Sequence, residues 1–589
     1  MARPAPIVFQ KLEQVPDRVV SLASMLWNPT GSWRYMRPLY VNKTPPCNQG
    51  CPAGNDVESF LALVEDGRLN EAARVLLDEN PLPGVCGRVC FHPCETACNR
   101  GQFDRPIAIH AMERYVGDWA RDHLAAQPLR PPTGKRVHVL GAGPAGLAAA
   151  YHLARMGHEV TVFDAQPEPG GVLRYGIPPY RLPRDVIAAE TKRIWDMGVR
   201  FQGDVRVETP EDFAKIREAD AVFVATGAYR SFSLKVAGED AKRVYTGLAF
   251  LEAVARGETP DIGDHVAVIG DGNTAIDAAR SARRLGAEVT IYSLTEQHEM
   301  PAFAEEIVEA LREGVDLVTS VGTREILTKN DAACGLVLDR VVLGEPDATG
   351  WRTPRPIEGS WFKIDATAVV IAIGQTGRLE CLGAEFPERA GHLQPGPTGR
   401  LGASNVFAGG DCSDGPNTVA HAIGDGKKAA VAIDRMLRGE DSDTVGEILV
   451  GSFGGVSVAR YLAAGGAEGG RAHLGNTDAR HVVAYGELNL NYFHEAPRAV
   501  LTHRPVASRM DNFDEIVSTI DDTAADHESR RCFHCGVCTE CDNCYVFCPD
   551  VAIAPKDDAF GYDINLDYCK GCGVCVHECP RNAMAMDKE

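Results

Sequence analysis

Sixteen of the nineteen cysteines in this 589-residue chain fall into two short windows, and this clumping constrains the fold more than any other feature. Six lie between Cys47 and Cys98, and ten lie between Cys532 and Cys579. The others are Cys334, Cys381 and Cys412. Disulfide frameworks are typical of small secreted chains, whereas a reducing cytosol keeps isolated pairs as thiols. In a chain of this length the two windows indicate ligation of metal ions or clusters.

The C-terminal window contains one cysteine pattern twice, with the copies 31 residues apart. Each copy reads C-x2-C-x2-C-x3-C-P, the run of bacterial ferredoxins, in which three thiolates bind one cubane and the fourth cysteine binds the other. A zinc site is the simpler alternative, but the repeated C-P endings argue against it. The pattern predicts two [4Fe-4S] clusters, one on Cys538, Cys541, Cys544 and Cys579, the other on Cys569, Cys572, Cys575 and Cys548.

Two further cysteines precede this run. Cys532 and Cys535 extend it backwards by two C-x2-C steps, but only the frame that starts at Cys538 ends in C-x3-C-P. They are either spare thiols or ligands of an unidentified group, and the sequence leaves both interpretations open.

The middle of the chain changes to α/β character at Lys135 and carries a glycine turn between a strand and a helix. In the pattern Gly141, Gly143 and Gly146, the glycines make the tight turn, admit a pyrophosphate and let the helix pack on the strand. The helix N-terminus favours a phosphate, and the next strand ends in Asp164, placed to accept ribose hydroxyls. The same order returns at residues 265–292, around a second glycine turn. Two Rossmann-like dinucleotide-binding units are therefore predicted in one chain.

Two more segments end apolar strands, Ala225-Thr226-Gly227 and Gly409-Gly410-Asp411. With the first glycine turn they resemble flavoproteins that have two dinucleotide-binding domains. The resemblance implies FAD at the first site, with Asp411 at its ribityl and phosphate region, and an NAD(P) domain inserted in the FAD domain. Disulfide reductase activity is disfavoured, because residues 131–440 contain no closely paired cysteines.

The candidate cofactor-binding residues form two sets. The FAD set is Gly141, Gly143, Pro144, Ala145, Gly146, Asp164, Gly171, Thr226, Gly227, Gly410, Asp411 and Thr418. The NAD(P) set is Gly270, Gly272, Asn273, Thr274, Ala275 and Ser293.

The choice of nicotinamide depends on the residues after the second strand of its site, because NADP needs a cation there for its 2′-phosphate. Tyr292 is followed by Ser293 and Leu294, whereas NADPH-using members of the resembled family carry two arginines after such a tyrosine. NADH is therefore favoured. Arg283 and Arg284 on the preceding helix are still placed to serve a phosphate, so NADPH stays open.

The N-terminal window contains Cys47-x3-Cys51-Pro52 and then Cys86, Cys90, Cys94 and Cys98 at four-residue intervals. By spacing alone, six thiols converge on a helical scaffold. The sequences Cys51-Pro52-Ala53-Gly54-Asn55, Gly87-Arg88-Val89-Cys90 and Pro93-Cys94-Glu95-x2-Cys98 resemble the iron-sulfur domain of the glutamate synthase small subunit and its relatives, among them dihydropyrimidine dehydrogenase and the ferredoxin:NADP transhydrogenases.

That resemblance implies two N-terminal [4Fe-4S] clusters, one with a non-cysteine ligand in some members. Here the first would use Cys51, Cys90, Cys94 and Glu113. The family normally has a C-x2-C before the position of Cys47, and this chain lacks it, so that Cys47, Cys86 and Cys98 are left for the second cluster. Whether the domain holds one cluster or two is thus open.

Charge and hydropathy exclude some classes of function. The formal net charge of −21 repels phosphate backbones, so nucleic-acid binding is disfavoured. No stretch approaches the roughly 18 to 20 apolar residues of a spanning helix, and the first ten residues do not resemble a signal peptide, so we expect a cytoplasmic protein.

The predicted fold class is multidomain α/β, with a helical iron-sulfur domain, an FAD domain that contains an inserted NAD(P) domain, and a ferredoxin-like domain with two clusters. The expected boundaries are 1–40 N-terminal extension, 41–130 helical iron-sulfur domain, 131–250 and 375–440 FAD domain, 251–374 NAD(P) domain, 441–525 linker or partner-facing segment, and 526–589 ferredoxin domain.

These modules together predict an oxidoreductase that passes electrons between NAD(P)H, FAD, [4Fe-4S] clusters and a redox partner protein or ferredoxin, with the cofactors performing the chemistry and no side chain as acid or base. The whole layout resembles the flavoprotein partner of dissimilatory sulfite reductase or the NAD-linked subunit of 2-oxoacid:ferredoxin oxidoreductases. A hetero-oligomer or a homodimer is expected. The alternatives are a glutamate synthase small subunit and a non-catalytic iron-sulfur interaction subunit.

Overall fold

The computed structural model describes residues 10–14, 29–125, 130–347, 352–442, 456–463 and 476–589. Most of the predicted N-terminal extension, and residues 443–455 and 464–475 of the predicted linker, lie outside the described residues.

The N-terminal part is one long strand followed by short helices. The elements are β1 (Met36–Thr44), α1 (Pro46–Gln49), α2 (Val57–Glu65), α3 (Leu69–Glu79), α4 (Pro83–Val89), α5 (Pro93–Thr96) and α6 (Ile109–His123). Helices α4 and α6 cross closely because glycines lie at their contact: a Cβ at Gly87 would be 2.4 Å from the backbone of Arg114, and one at Gly117 would be 2.6 Å from the nitrogen of Gly84. Prolines in the first turns of α1, α4 and α5 start these helices, since a first-turn N–H has no partner within the helix.

The first α/β unit begins after residue 130. Its elements are β2 (Arg136–Leu140), α7 (Pro144–Arg155), β3 (Glu159–Phe163), α8 (Val172–Tyr175), α9 (Arg184–Trp195), β4 (Arg200–Gln202), α10 (Pro210–Ile216), β5 (Ala221–Val224) and β6 (Arg230–Ser231).

The second unit interrupts the first. Its elements are β7 (Val244–Thr246), α11 (Gly247–Ala255), β8 (His265–Ile269), α12 (Asn273–Arg284), β9 (Glu288–Tyr292), α13 (Ala304–Arg312), β10 (Asp316–Val318), β11 (Val321–Lys329), β12 (Ala332–Pro346), β13 (Arg352–Pro356), β14 (Phe362–Asp365) and β15 (Ala368–Ile371). Five strands form a parallel sheet in the order β10-β9-β8-β15-β7, and β11 to β14 form an antiparallel sheet beside it.

The chain then returns to the first unit through β16 (Gln375–Thr376), β17 (Glu388–Arg389), β18 (His392–Leu393), β19 (Val406–Ala408) and α14 (Val419–Leu437). Strand β19 pairs with β5 and completes a five-stranded parallel sheet in the order β19-β5-β2-β3-β4. Helix α14 packs directly on α7, where a Cβ at Gly426 would be 2.1 Å from the carbonyl oxygen of Ala145. The expected insertion of one dinucleotide-binding unit in the other is confirmed.

The C-terminal part contains α15 (Val458–Ala463), β20 (Asn476–Val482), α16 (Asp522–Arg530), α17 (Asn543–Val546), β21 (Ile553–Pro555), β22 (Tyr562–Ile564), α18 (Val574–His577) and β23 (Met584–Lys588). Strand β1 lies between β20 and β23, parallel to the first and antiparallel to the second. In this register Tyr40 is opposite Met584, and Val41 is opposite Asn476. The N-terminal strand thus runs across the boundary expected at residue 40 and completes a sheet of the C-terminal part.

Candidate functional site

Both glycine turns open into one cavity of about 1180 Å³. It lies between the carboxyl ends of the two parallel sheets, where open α/β sheets bind their ligands. Most residues expected at the two dinucleotide sites line it: Gly141, Gly143, Pro144, Ala145, Asp164, Gly171, Thr226, Gly227, Gly410, Asp411, Thr418, Gly272, Asn273 and Thr274. The expected residues Gly146, Gly270, Ala275 and Ser293 are not among its lining residues.

The first glycine turn shows why three glycines are needed. Gly141 has φ of 109°, and a Cβ there would be 2.2 Å from the carbonyl oxygen of Ala225. A Cβ at Gly146 would be 1.9 Å from the carbonyl oxygen of Gly141, so Gly146 serves the packing of α7 on β2 and is covered by it. At Gly143 a Cβ would meet no atom within 4 Å, which leaves its backbone open to the cavity at the start of α7. This is the cradle that a pyrophosphate requires.

Asp164, at the end of β3, fixes the turn while it faces the cavity. One carboxylate oxygen accepts a hydrogen bond from the Ala142 N–H at 2.6 Å, and the other accepts from the Gln166 N–H at 2.8 Å. Burial raises the pKa of Asp164, and the two N–H donors act in the opposite direction. The remaining lone pairs are those that ribose hydroxyls would use.

Asp411 lies on the opposite wall, after β19. The preceding residue, Gly410, has φ of 72°, and its N–H donates to Asp425 at 3.1 Å. Burial, and then the nearby carboxylate of Asp425, raise the pKa of Asp411 to about 6. A group rich in hydroxyls is the natural partner of such a carboxylate, since it can donate hydrogen bonds without adding charge.

One buried side chain of this wall lacks a partner in the protein. The hydroxyl of Tyr229 lines the cavity, is buried, and forms no hydrogen bond with any described residue. It lies 3.7 Å from the place of a Cβ on Gly171. A buried hydroxyl without a partner is costly, so this atom indicates a polar ligand group at this point. The open Gly143, Asp164, Asp411 and Tyr229 together fit FAD.

The second glycine turn repeats the first in outline. Gly270 has φ of 142°, and a Cβ there would be 2.3 Å from the carbonyl oxygen of Ala372, so it serves the tight turn. Gly272 precedes α12 and has open space beside it. Ser293 is fully buried, and its hydroxyl donates to the carbonyl oxygen of Thr295 at 2.8 Å. This unit thus presents a phosphate cradle, but Ser293 is turned into the protein.

The N-terminal cysteines form two groups, and one of them surrounds Glu113 on α6. Glu113 accepts hydrogen bonds from the side-chain amides of Asn55 at 2.8 Å and Asn80 at 3.0 Å, and burial raises its pKa to about 8. The thiols in its electrostatic environment are Cys51, Cys86, Cys90 and Cys94. The structure therefore places Cys86 beside Glu113, whereas we expected it with Cys47 and Cys98. The two orienting amides were missed, because nothing in their spacing links them to a carboxylate 33 and 58 residues away.

This group adjoins the large cavity. Phe91, next to Cys90, lies between the rings of Phe303 and His421, with centroid distances of 6.0 and 5.9 Å. Phe303 lines the cavity. On the other side, a Cβ at Gly424 of α14 would be 2.2 Å from the carbonyl oxygen of Pro52, so the loop after Cys51 lies directly on the helix that starts at the cavity.

The C-terminal cysteines surround a second, much smaller cavity of about 20 Å³. Among its lining residues are the four thiols expected to hold one cluster, namely Cys538, Cys541, Cys544 and Cys579. The other four expected ligands are Cys548, Cys569, Cys572 and Cys575. Of these, Cys575 belongs to the same apolar core as Cys544, and Cys548 packs against that core. Tyr40 of β1 also lines this cavity, with its hydroxyl 3.1 Å from the sulfur of Cys544. Sequence reasoning missed Tyr40, because 504 residues separate the two.

The cysteine thiols are not close enough together to bind a single metal ion. Among the described residues, only His92, Glu95 and His110 bring three ligand atoms within 4.8 Å of one another. A tetrahedral zinc with four sulfur ligands would need sulfur-sulfur distances of about 3.8 Å. Glu95 already accepts a hydrogen bond from the backbone N–H of His110 at 2.9 Å and pairs with Arg498, so its carboxylate is engaged within the protein.

Three family models match successive parts of the chain. "Dihydropyrimidine dehydrogenase domain II, 4Fe-4S cluster" matches residues 37–125, "Pyridine nucleotide-disulphide oxidoreductase" matches 135–426, and "4Fe-4S dicluster domain" matches 537–583. The fold and the cavity thus define an FAD- and NAD(P)-dependent oxidoreductase with iron-sulfur domains at both ends.

Curated relatives narrow this class to a family. The chain is 36% identical over 523 residues to the NADP(+)-dependent formate dehydrogenase subunit beta of Moorella thermoacetica (84% of this chain, 70% of the relative). It is 38% identical to the NADPH-Fe(3+) oxidoreductase subunit beta of Geobacter sulfurreducens (68% and 64%), and 35% identical to the NADPH glutamate synthase small chain of Escherichia coli (67% and 89%). The chain belongs to the family of iron-sulfur flavoproteins that resemble the glutamate synthase small chain.

Among solved structures, Mycobacterium tuberculosis FprA in complex with NADPH matches 53% of this chain and 85% of its own, with 21% identity and a TM-score of 0.45. The described residues contain no helix that is both long and apolar enough to cross a membrane. The chain spans less than two thirds of the Geobacter relative, at 64%.

Proposed function

We propose that this chain is the electron-transferring subunit of a larger redox enzyme and that it connects NAD(P)H with a one-electron partner protein. The observation that carries the proposal is the single cavity shared by both glycine turns, with the cysteines around Glu113 packed against its wall. Oxidation of NAD(P)H releases two electrons with one hydride, iron-sulfur clusters take one electron each, and a flavin is the group that exchanges both.

The residues after β9 support NADH as the favoured nucleotide. Ser293 is buried, and Glu296, which follows closely, accepts hydrogen bonds from Thr319 and Ser320, so a carboxylate is fixed where a 2′-phosphate would need a cation. Arg284 offers no cation there, because its guanidinium pairs with Glu313 at 2.7 Å.

The names of the relatives favour the other nucleotide. The formate dehydrogenase, iron reductase and glutamate synthase subunits are all named for NADP or NADPH. Arg283 does not supply the cation that NADPH needs, because its guanidinium donates to the carbonyl oxygen of Ala287 at 2.9 Å, before β9, whereas the nucleotide site follows the carboxyl end of that strand. NADPH use is therefore the second candidate.

The relatives also support a hetero-oligomer, because two of them are named as beta subunits. The partner stays a proposal: a sulfite reductase, a 2-oxoacid:ferredoxin oxidoreductase or a ferredoxin would each accept single electrons. The exposed Cys541 and Cys572 give the C-terminal domain an outlet to such a partner. A glutamate synthase small subunit would not need that C-terminal domain. A non-catalytic subunit would not need the open phosphate-binding turns at Gly143 and Gly272.

The test is an anaerobic titration of the cluster-loaded protein with NADH and, separately, with NADPH, following flavin absorbance and the paramagnetic signals of reduced clusters. We expect NADH to bleach the flavin and to produce cluster signals at lower concentration than NADPH. If neither nucleotide bleaches a flavin that dithionite reduces, hydride transfer is excluded and the interaction-subunit alternative stands.

A substitution sharpens the nucleotide test. Leu294→Arg adds a cation after β9, and Leu294→Gln is the matched neutral control. We expect the arginine variant to raise kcat/KM for NADPH over NADH about tenfold relative to the control, because a hydrogen bond to a charged group contributes about 1.5 kcal/mol or more. If the wild-type protein already prefers NADPH and the arginine changes nothing, the argument from Ser293 and Glu296 is wrong.

A further inference from the structure

Four cysteines from the two ends of the chain meet at one small cavity. Its volume is about 20 Å³, and its lining includes Cys47 and Cys98 from the N-terminal domain and Cys532 and Cys535 from the segment before the ferredoxin run. All four are buried or half-buried. Cys86 is not among the lining residues, in agreement with its place beside Glu113.

The four cysteines surround one small space from two sides. Cys47 lies on α1 and Cys98 follows α5, whereas Cys532 and Cys535 flank Phe533 and His534 in the segment after α16. All four are free cysteines, and a set of four thiols around one cavity is the arrangement that a metal centre uses when it binds thiolates.

The surroundings supply the donors that thiolate ligands use. The side-chain amide of Asn99 lies 3.5 Å from the sulfur of Cys535, and its other contact, at 2.9 Å, is the carbonyl oxygen of Val483. The backbone N–H of His534 donates to the sulfur of Cys532 at 3.4 Å. The same kind of contact occurs in the ferredoxin-like domain, where the Ala552 N–H donates to Cys548.

The C-terminal domain provides an internal measure for the size of this site. Its own cavity, lined by the four cysteines of a matched 4Fe-4S dicluster domain, has the same volume of about 20 Å³. In neither place do three ligand atoms come within 4.8 Å, so both sets of thiols are spread more widely than a single ion allows.

Contacts independent of the cysteines hold the C-terminal segment in place. The imidazole of His534 lies between Glu58 and Glu65 of α2, at 2.8 and 3.2 Å. The carbonyl oxygen of Gly536 accepts a hydrogen bond from the backbone N–H of Lys43 at 2.9 Å, and the Gly536 N–H donates to the carbonyl oxygen of Arg581 at 2.6 Å. The convergence of the four thiols is therefore a property of the fold itself.

We propose that Cys47, Cys98, Cys532 and Cys535 hold one [4Fe-4S] cluster whose ligands come from both ends of the chain. Cys532-x2-Cys535 supplies the C-x2-C that the resembled family carries before Cys47 and that this chain lacks there. Each N-terminal ligand lies four residues from a thiol of the group around Glu113, and Cys535 lies three residues before Cys538. The site thus adjoins both neighbouring cysteine groups. Its role in electron transfer rests on the proposed function, but its ligand set does not.

The test counts iron and acid-labile sulfide in the full-length protein, purified without oxygen, with the single variants Cys532→Ala and Cys47→Ala and the double variant. Cys334→Ala, a half-buried cysteine on β12, is the matched control. With two clusters in each terminal domain, we expect about 16 iron atoms per chain in the wild type and the control, and about 12 in all three variants. Paramagnetic spectra after dithionite reduction should lose the same component in each variant.

The double variant separates the possible outcomes. If it retains about 8 iron atoms, the two cysteines serve different clusters and the proposal is wrong. The same conclusion follows if Cys532→Ala keeps the wild-type iron content, if it also removes the spectra of the ferredoxin-type clusters, or if the wild type contains one zinc ion per chain. Dithionite replaces the nucleotide, so these results do not depend on whether NADH or NADPH reduces the protein.

Discussion

The cysteines at the two ends of the molecule serve the same kind of cofactor in different settings. In the C-terminal domain, the eight cysteines expected as ligands lie in two contiguous runs, Cys541 and Cys572 are exposed, and the small core around Cys544 and Cys575 is separate from the other apolar cores. In the N-terminal domain the cysteines are buried or half-buried, and Cys94 belongs to a core that continues into the sheet of the FAD domain. The C-terminal domain is therefore a self-contained module, whereas the N-terminal cysteines are part of the main core.

This difference decides what loss of a cluster should do. An exposed, local site can empty without disturbing its neighbours. A buried site that empties leaves its thiols and the carboxyl group of Glu113 without their metal partner inside the core that also supports the flavin site. Binding of a metal centre at such a site contributes directly to the free energy of folding.

The largest expected effect comes from emptying one site at each end. We expect Cys94→Ala and Cys572→Ala each to lose about four iron atoms. Only Cys94→Ala should also release FAD and lower the melting temperature of the main calorimetric transition, by an amount that corresponds to several kcal/mol. Iron content, flavin content and scanning calorimetry measure this. Equal flavin retention in both variants would show that the N-terminal site is as independent as the C-terminal one.

The same contrast explains how far the sequence could predict the molecule. The ferredoxin runs and both glycine turns were predictable because each is a local pattern, in which spacing alone places the ligand atoms. Most of the cofactor-binding residues expected at the two sites line the cavity, and two of the four exceptions, Gly146 and Gly270, are glycines that serve packing and the tight turn.

What the sequence could not predict depends on contacts between distant segments. Tyr40 reaches Cys544 only because β1 inserts between β20 and β23, and Cys532 reaches Cys47 only because the C-terminal segment docks on α2. The amides of Asn55 and Asn80 meet Glu113 through the packing of α6 on the earlier helices. None of these contacts has a spacing rule, since the fold brings the residues together.

A smaller effect should separate the buried and the exposed ion pairs that join the two ends. Arg531 is almost fully buried and pairs with Glu528 at 2.6 Å and Asp104 at 3.0 Å, whereas Arg37 pairs with Asp587 at 3.5 Å on the surface. Arg531→Met leaves the buried carboxylate of Glu528 without its cation, while Asp104 keeps its ion pair with Arg100 at 2.7 Å, and should cost about 3 kcal/mol. Arg37→Ala should cost less than about 1 kcal/mol.

Calorimetry of the cluster-loaded variants measures both changes, and the iron content of Arg531→Met reports on the neighbouring cysteines. We expect this variant to lose iron more readily on exposure to oxygen, because Arg531 directly precedes Cys532 and holds that segment against the N-terminal domain. Equal stability of the two variants would mean that the ends are joined mainly by the strand pairing of β1.

The smallest expected effect is a pH dependence confined to the N-terminal side. Glu190 of α9 is buried and accepts hydrogen bonds from the N–H groups of Gly84 at 2.7 Å and Val85 at 3.2 Å, at the start of α4. Burial raises the pKa of Glu190 to about 7, although Arg193 opposes this shift. For a carboxyl group whose folded pKa is raised, the stabilisation is fully present below the unfolded pKa of about 4.3 and is lost as the pH rises through the folded value. Between pH 6 and pH 8 the wild type should therefore lose about 1 kcal/mol of stability that Glu190→Gln does not lose.

Melting temperatures of both proteins across this range measure the difference, and a wild-type stability that rises with pH relative to the variant would contradict the prediction. Because Glu190 joins the FAD domain to the N-terminal helices, the effect should appear in the main transition and leave the iron signals of the C-terminal domain unchanged.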